Sequence, residues 1–256
     1  MQKIDWILTP FFIDQPLEGL NEITSQNWEI NQPSLPESST MVRLSVLHSG
    51  LSASVERSLA AGNLPVSIAG DCCTAIGVLA GIQRAGLSPT LIWFDAHGDF
   101  NTWETSPSGF LGGMPLAMLA GLGEQTLLES SQVQPLSTDR IILVDGRDLD
   151  PGEAGLVADS GLTHLQNPAD LMEVSLETGP IWVHFDTDVV DPLESPAQNY
   201  PAPGGPSADD LMRVFKYLNR IKMIRIVSVS SWNPDLPGSE KSRDVSLNLL
   251  HNLLGF

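Results

Sequence analysis

Apolar residues follow two rhythms along this chain. Short apolar-rich runs occur at Ile4–Leu8, around Val66–Ala69, at Leu91–Phe94, at Ile141–Val144, at Ile181–Val183 and at Met223–Val229, unbroken at Leu91–Phe94, Ile141–Val144 and Ile181–Val183. Runs of that length without polar alternation predict strands covered on both faces, as in a parallel sheet. Between them the spacing lengthens to three and four. Leu44, Leu47, Leu51, Val55 and Leu59 predict a helix over 41–61 that Gly62 ends. Further helices are expected over 74–86, 115–122, from a capping-box-like Ser207-Ala208-Asp209-Asp210 to about Leu218, and over 243–254. Residues 10–39, rich in Pro, Asn, Ser and Gln, read as loop. Strand, helix, strand in repetition predicts an α/β fold: three layers, α/β/α, on a doubly wound, mainly parallel sheet. With no internal repeat or linker, one domain is expected to span 1–256.

The polar residues that break the pattern collect where strands end. Leu91-Ile92-Trp93-Phe94 runs into Asp95-Ala96-His97-Gly98-Asp99, and Ile181-Trp182-Val183-His184-Phe185 into Asp186-Thr187-Asp188. If the extended backbone continues, period-two alternation aims Asp95, His97 and Asp99 one way, and His184, Asp186 and Asp188 likewise. Pro192 is expected to stop the second strand. Open parallel sheets place ligands beyond the carboxyl ends of their strands. Carboxylates and imidazoles converging there would repel or stay unpaired without a cation. Oxygen and nitrogen donors suit Mn, Zn, Fe or Ni. Cys72 sits at a strand-to-helix junction, where a helix dipole would favour thiolate. The stretch Asp145-Gly146-Arg147-Asp148-Leu149-Asp150-Pro151-Gly152-Glu153 is again acidic. It is either part of the site or a structured turn in which Arg147 pairs with an acid.

Composition narrows the picture. Thirty-one acidic residues against 13 basic ones give a net charge of −18, which argues against nucleic acid or an anionic membrane as partner. No start resembling a signal peptide and no apolar stretch of membrane-spanning length is evident. The two cysteines are adjacent, Cys72 and Cys73. A bridge between neighbours would be strained, so reduced thiols in a cytoplasm are the simpler expectation.

The Asp95-Ala96-His97-Gly98-Asp99 segment and Asp186-Thr187-Asp188-Val189-Val190-Asp191-Pro192 resemble the paired signatures of the arginase/agmatinase family of ureohydrolases. Ala69-Gly70-Asp71-Cys72 stands where that family has Gly-Asp-His. The order and spacing match over roughly 60–240. The resemblance implies two divalent cations, manganese by family, held by Cys72, Asp95, His97, Asp99, Asp186 and Asp188. It implies that a metal-bound hydroxide, oriented by Asp99, attacks a guanidine or amidine carbon. Asn101 and Ser108 match positions that hold an α-carboxylate, while Asp148, Asp150 and Glu153 match an acidic loop near the α-amino group. A trimeric or hexameric homo-oligomer is implied too.

Three positions depart from the family. Cys72 replaces a histidine, and thiolate suits Zn or Fe better than Mn. Ser231 stands where a glutamate receives the guanidinium, and a hydroxyl is no charged bidentate acceptor. Gly112 stands at the proton-shuttling histidine of the arginase branch, leaving His184, Glu104 or water to protonate the leaving group. The expectation is a metal-dependent hydrolase of a small linear amidine or guanidino substrate, not a full-rate arginase. The alternatives are a catalytically reduced relative that binds metal or an amino acid as a sensor or subunit, and a metal-dependent amide deacylase.

Overall fold

In the computed structural model, which describes residues 2–176 and 179–256, eight strands form one sheet whose pairings are all parallel. The chain opens with β1 (Ile4–Thr9), a hairpin of β2 (Phe11–Phe12) and β3 (Gln15–Pro16), and the edge strand β4 (Glu29–Ile30). Helix α1 (Thr40–Ala60) leads to β5 (Leu64–Ala69), α2 (Ala75–Arg84) and β6 (Thr90–Asp95). Then come α3 (Pro115–Leu119), α4 (Thr126–Ser131), β7 (Ile141–Asp145), α5 (Pro151–Ser160), β8 (Thr163–Leu165) and β9 (Ile181–Asp186). Helix α6 (Ala208–Ile221), strand β10 (Ile224–Ser230) and helix α7 (Ser239–Leu254) complete it.

The sheet order is β4-β1-β5-β10-β9-β6-β7-β8. After β5 the chain crosses to β6 and later fills the gap with β9 and β10. Such a reversal opens a crevice at the carboxyl ends of the central strands. Alternation along the strands builds a core on each face. Leu91, Trp93, Trp182 and Ile226 pack under α1 to α4, whereas Ile92, Phe94, Val183, Phe185 and Val227 meet Leu211, Phe215 and Leu250 of α6 and α7. The three-layer expectation holds.

Several local expectations change. Residues 10–39 are not all loop: β4 pairs with β1 through Ile7 and Leu8, a backbone docking that needs no apolar periodicity of its own. Helices α4 and α5 and strand β8 were not expected. Asp150-Pro151-Gly152-Glu153 opens α5 as a capping box with proline in the first turn, a signal obscured by its acidity. Strand β9 ends at Asp186, where Thr187–Val189 turns into a 3-10 helix, so Pro192 is not the stop. Among the described residues, no helix is long and apolar enough to cross a membrane.

Candidate metal and substrate site

The exits of β5, β10, β9 and β6, neighbours at the sheet centre, bring Cys72, Ser230, Ser231, Asp186, Asp188, Asp95, His97 and Asp99 together. Convergence does not come from continued strands. Strand β6 stops at Asp95, whose Oδ1 accepts the His97 amide at 2.7 Å, and Asp99 takes a left-handed backbone with φ 49°. Its carbonyl receives the Leu116 and Ala117 amides at the start of α3. Asp186 Oδ1 likewise accepts the Asp188 amide at 2.8 Å. Each acid closes a turn around its neighbour, and the turns, not alternation, aim the remaining oxygens inward. Non-glycine residues at positive φ are costly, and Asp99, Asp145 and Ser231 all adopt it at strand exits.

Gly98 allows the close approach of α5 to this loop. A Cβ there would lie 2.5 Å from Glu153 Oε1. Glu153 accepts the Phe100 amide at 2.7 Å and the Asp150 amide at 3.0 Å. Arg147 pairs with Asp145 and donates to the carbonyls of Asp188, Val189 and Ala202. Its partner is therefore an acid within the chain, and it clamps the Asp188 turn. The acidic stretch is both a structured turn and one wall of the cavity.

Three donor groups could hold an ion, with the donor atoms of each within 4.8 Å of one another: Cys72, His184 and Asp186; Cys72, Asp95 and Asp99; Asp95, His97 and Asp188. His97 Nδ1 lies 3.2 Å from Asp188 Oδ2 and 3.4 Å from Asp95 Oδ1. Burial opposes its charge, but the hydrogen bonds and charges of Asp188 and Asp95 raise its pKa to about 12. Burial and neighbouring carboxylates push Asp95, Asp99 and Asp186 up. Asp99 Oδ2 is buried and has no hydrogen-bond partner among the described residues. An orphaned carboxylate oxygen is expensive unless something electropositive meets it, so these residues fit divalent cations.

The thiolate expectation for Cys72 is overturned. Burial, then Asp186, Asp99 and Asp95, hold its thiol well above the usual range, and Sγ donates to Asp186 Oδ2 at 2.9 Å. The helix dipole does not rescue it, because Asp71 already takes the place of the anion. Its carboxylate accepts the Cys73 amide at 2.8 Å and the Ile13 amide at 2.5 Å.

His184 does not line the cavity. It is buried beneath Cys72 and stacked on Trp93 with ring centroids 3.6 Å apart, and burial lowers its pKa to about 3. It is therefore removed from any leaving group in the cavity. Glu104 lies outside the cavity lining as well.

Above these acids opens a cavity of about 610 Å³, lined also by Asn101, Ser108, Asp148, Asp150, Phe12, Phe110, Gly112 and Tyr200. Asn101 is engaged at both ends: its amide donates to Asp150 Oδ2 at 2.9 Å, and its oxygen accepts from Thr105. Ser108 Oγ accepts the Phe110 amide at 3.2 Å. Asp148 is exposed, 4.0 Å from His97 Nε2. No lysine or arginine lines the cavity among the described residues. Phe110 stacks near Phe12 and Tyr200, with centroids 6.3 and 5.2 Å apart. These aromatics escaped sequence reasoning because they come from three stretches far apart in the chain. Gly112 is explained here: a Cβ would collide with Phe110 Cε1, so the phenyl ring fills the space a side chain at 112 would need.

The fold and this site define a three-layer α/β protein that gathers acids at the carboxyl ends of a parallel sheet. Residues 14–255 match the family model described as Arginase family. The arginase of Bacillus caldovelox is 30% identical over 218 residues, covering 80% of this chain and 73% of that protein. The N(omega)-hydroxy-L-arginine amidinohydrolase of Streptomyces lavendulae is 29% identical over 203 residues, 78% of this chain and 69% of that protein. A solved structure of the Bacillus caldovelox arginase superposes with a TM-score of 0.85 at 25% identity, covering 100% of this chain and 99% of that one. The chain belongs to the arginase family and is a hydrolase of the ureohydrolase type.

Proposed function

We propose that this protein is a binuclear-metal hydrolase of a small guanidino or amidino compound, with arginine a poor substrate. The observation that carries the reading is Asp99 Oδ2, buried without a partner beside Cys72 and Asp95 in one of the three donor groups. Cys72, Asp95, Asp99 and Asp186 would hold one cation and Asp95, His97, Asp186 and Asp188 the other. When bound, the cations supply Lewis-acid activation of water and of the attacked centre. Manganese follows from the family, and the Cys72 sulfur extends the choice to Zn, Fe or Ni.

The chain's own groups then have defined tasks. Asp99 would orient the attacking water by accepting its hydrogen bond. Asp148 and Asp150 at the mouth attract the cationic end of the substrate, and the absence of basic side chains disfavours a carboxylate there. Asn101 keeps Asp150 in place, and Ser108 shapes the rim through its bond to Phe110. Ser231 donates to Asp186 and supplies no charged acceptor for a guanidinium.

The name of the Streptomyces lavendulae relative supports including N-hydroxyguanidines in the substrate search. The test is a panel of guanidino, N-hydroxyguanidino, formimidoyl and amide compounds with Mn, Zn, Fe and Ni supplied in turn. Urea or ammonia release supports the reading, and acid release from amides replaces it with a deacylase. Silence across the panel favours a binding protein, the reading to which Gly112 and Ser231 point. Assembly as a trimer or hexamer belongs to the same proposal and is read by sedimentation.

A further inference from the structure

Residue 184 supplies an imidazole close to where residue 72 lacks one. His184 projects from β9 on the face shared by Asp186, opposite Ser228 of β10 and Trp93 of β6. Its Nε2 lies 3.4 Å from Cys72 Sγ and 3.1 Å from Ser230 Oγ, while its Nδ1 lies 2.8 Å from Ser228 Oγ. Ser228 Oγ also accepts the Trp182 indole N–H at 2.8 Å. With Nδ1–H given to the second lone pair of that oxygen, Nε2 presents its own lone pair toward Cys72. Fixing one ring nitrogen by hydrogen bonding is how proteins orient a ligating imidazole. This one faces a thiol and a serine hydroxyl that both contact Asp186 Oδ2, at 2.9 and 3.2 Å.

We propose that the cation on the Cys72 side is ligated by Cys72 Sγ, His184 Nε2 and Asp186, a sulfur–nitrogen–oxygen set selecting zinc or cobalt over manganese. The inference rests on the metal-hydrolase reading above and alters which residues hold that cation. The spacing fits. Zinc–sulfur and zinc–nitrogen bonds of about 2.3 and 2.0 Å at a tetrahedral angle separate the two donors by about 3.5 Å, against 3.4 Å here. The other half, Asp95, His97 and Asp188, offers only oxygen and nitrogen and discriminates less among divalent ions. Ser230, 3.0 Å from Sγ, is placed to donate to the thiolate once the thiol proton has left. The site is then asymmetric, one half soft and one half hard.

The test is cobalt(II) titration of the full-length, chelator-stripped protein followed by absorption spectroscopy. The wild type is expected to bind one equivalent with thiolate-to-cobalt charge transfer and intense tetrahedral ligand-field bands. Cys72→Ser should abolish the charge transfer. His184→Asn, whose amide can still reach Ser228, should keep the charge transfer, weaken that equivalent at least about tenfold and shift the visible bands. His97→Ala should remove only the other equivalent. Unchanged affinity and bands in His184→Asn would overturn the assignment while leaving the hydrolase reading intact. A wild type that binds no cobalt would overturn both. Should the variant fail to fold, ¹⁵N-histidine wild-type protein loaded with ¹¹³Cd decides: one-bond coupling at His184 Nε2 supports the assignment, and its absence ends it.

Discussion

The floor and the mouth of the cavity are built in different ways. At the floor, Asp95, His97, Asp99, Asp186 and Asp188 are gathered by short turns at strand exits, and Asp99 Oδ2 is buried without a partner among the described residues. At the mouth, Phe110 covers Gly112, Ser231 lines the wall with a neutral hydroxyl, and Asn101 is tied to its own wall. The difference teaches that activation of water and recognition of substrate are separable. The floor's geometry is locked by short turns in which Asp95 and Asp186 accept backbone amides two residues on. The mouth is made of side chains from separate loops, which can change without disturbing the strands beneath.

The sharpest way to break this comparison is at the floor. Asp95→Asn is expected to lower kcat by about three orders of magnitude, measured on whichever compound the panel identifies. A variant retaining near-full turnover would remove Asp95 from the chemistry.

At the mouth the expected change is a gain. Ser231→Glu should raise kcat/KM for a guanidinium substrate by roughly 10- to 100-fold, the worth of a charge-assisted hydrogen bond of about 1.5–3 kcal/mol. Gly112→His alone should instead cost about 1–3 kcal/mol of stability by overpacking against Phe110, read by thermal unfolding. The Phe110→Asn/Gly112→His pair should recover most of that loss.

Protons sharpen the contrast further. His97 carries a proton at neutral pH when no cation displaces it, its pKa raised to about 12 despite burial by Asp188 and Asp95. Cation affinity at the floor should therefore rise with pH, by about tenfold per unit for each proton displaced, measured by metal titration between pH 6 and 8. In chelated protein the same proton stabilises the fold. Because the folded pKa lies above the unfolded one, that stability is full below pH 6.5 and is lost as pH rises toward 12.

The smallest expected effect is on stability. Each cation held at 100 times its dissociation constant contributes about 2.7 kcal/mol, so chelation that empties one site should lower Tm by roughly 5–10 °C. The Ser231→Glu variant should show the same shift if floor and mouth are independent.

Much of this was legible in the residues. Leu91-Ile92-Trp93-Phe94 and Ile181-Trp182-Val183 announced central strands, because a strand covered on both faces leaves no room for polar alternation. Asp95, His97, Asp99, Asp186 and Asp188 announced a shared site because ionisable groups so spaced are costly unless they meet a cation. Helix α5 is hidden by its acidity: Asp150 and Glu153 form its capping box, and the same two acids suit a polar cavity wall.

The sequence by itself determined the layered α/β plan and the acids of the floor, since these follow from residue type and local spacing. Tertiary structure decided how the acids converge, through turns at Asp95 and Asp186 that no periodicity foretells. It also decided that the Cys72 thiol is pushed above its usual range, because it is buried and carboxylates distant in the chain surround it. It placed His184 beneath Cys72 and brought Phe12, Phe110 and Tyr200 together. Local pattern reports what a residue does to its own backbone. The electrostatic field and the packing partners of a side chain come from strands that become neighbours only when the sheet forms.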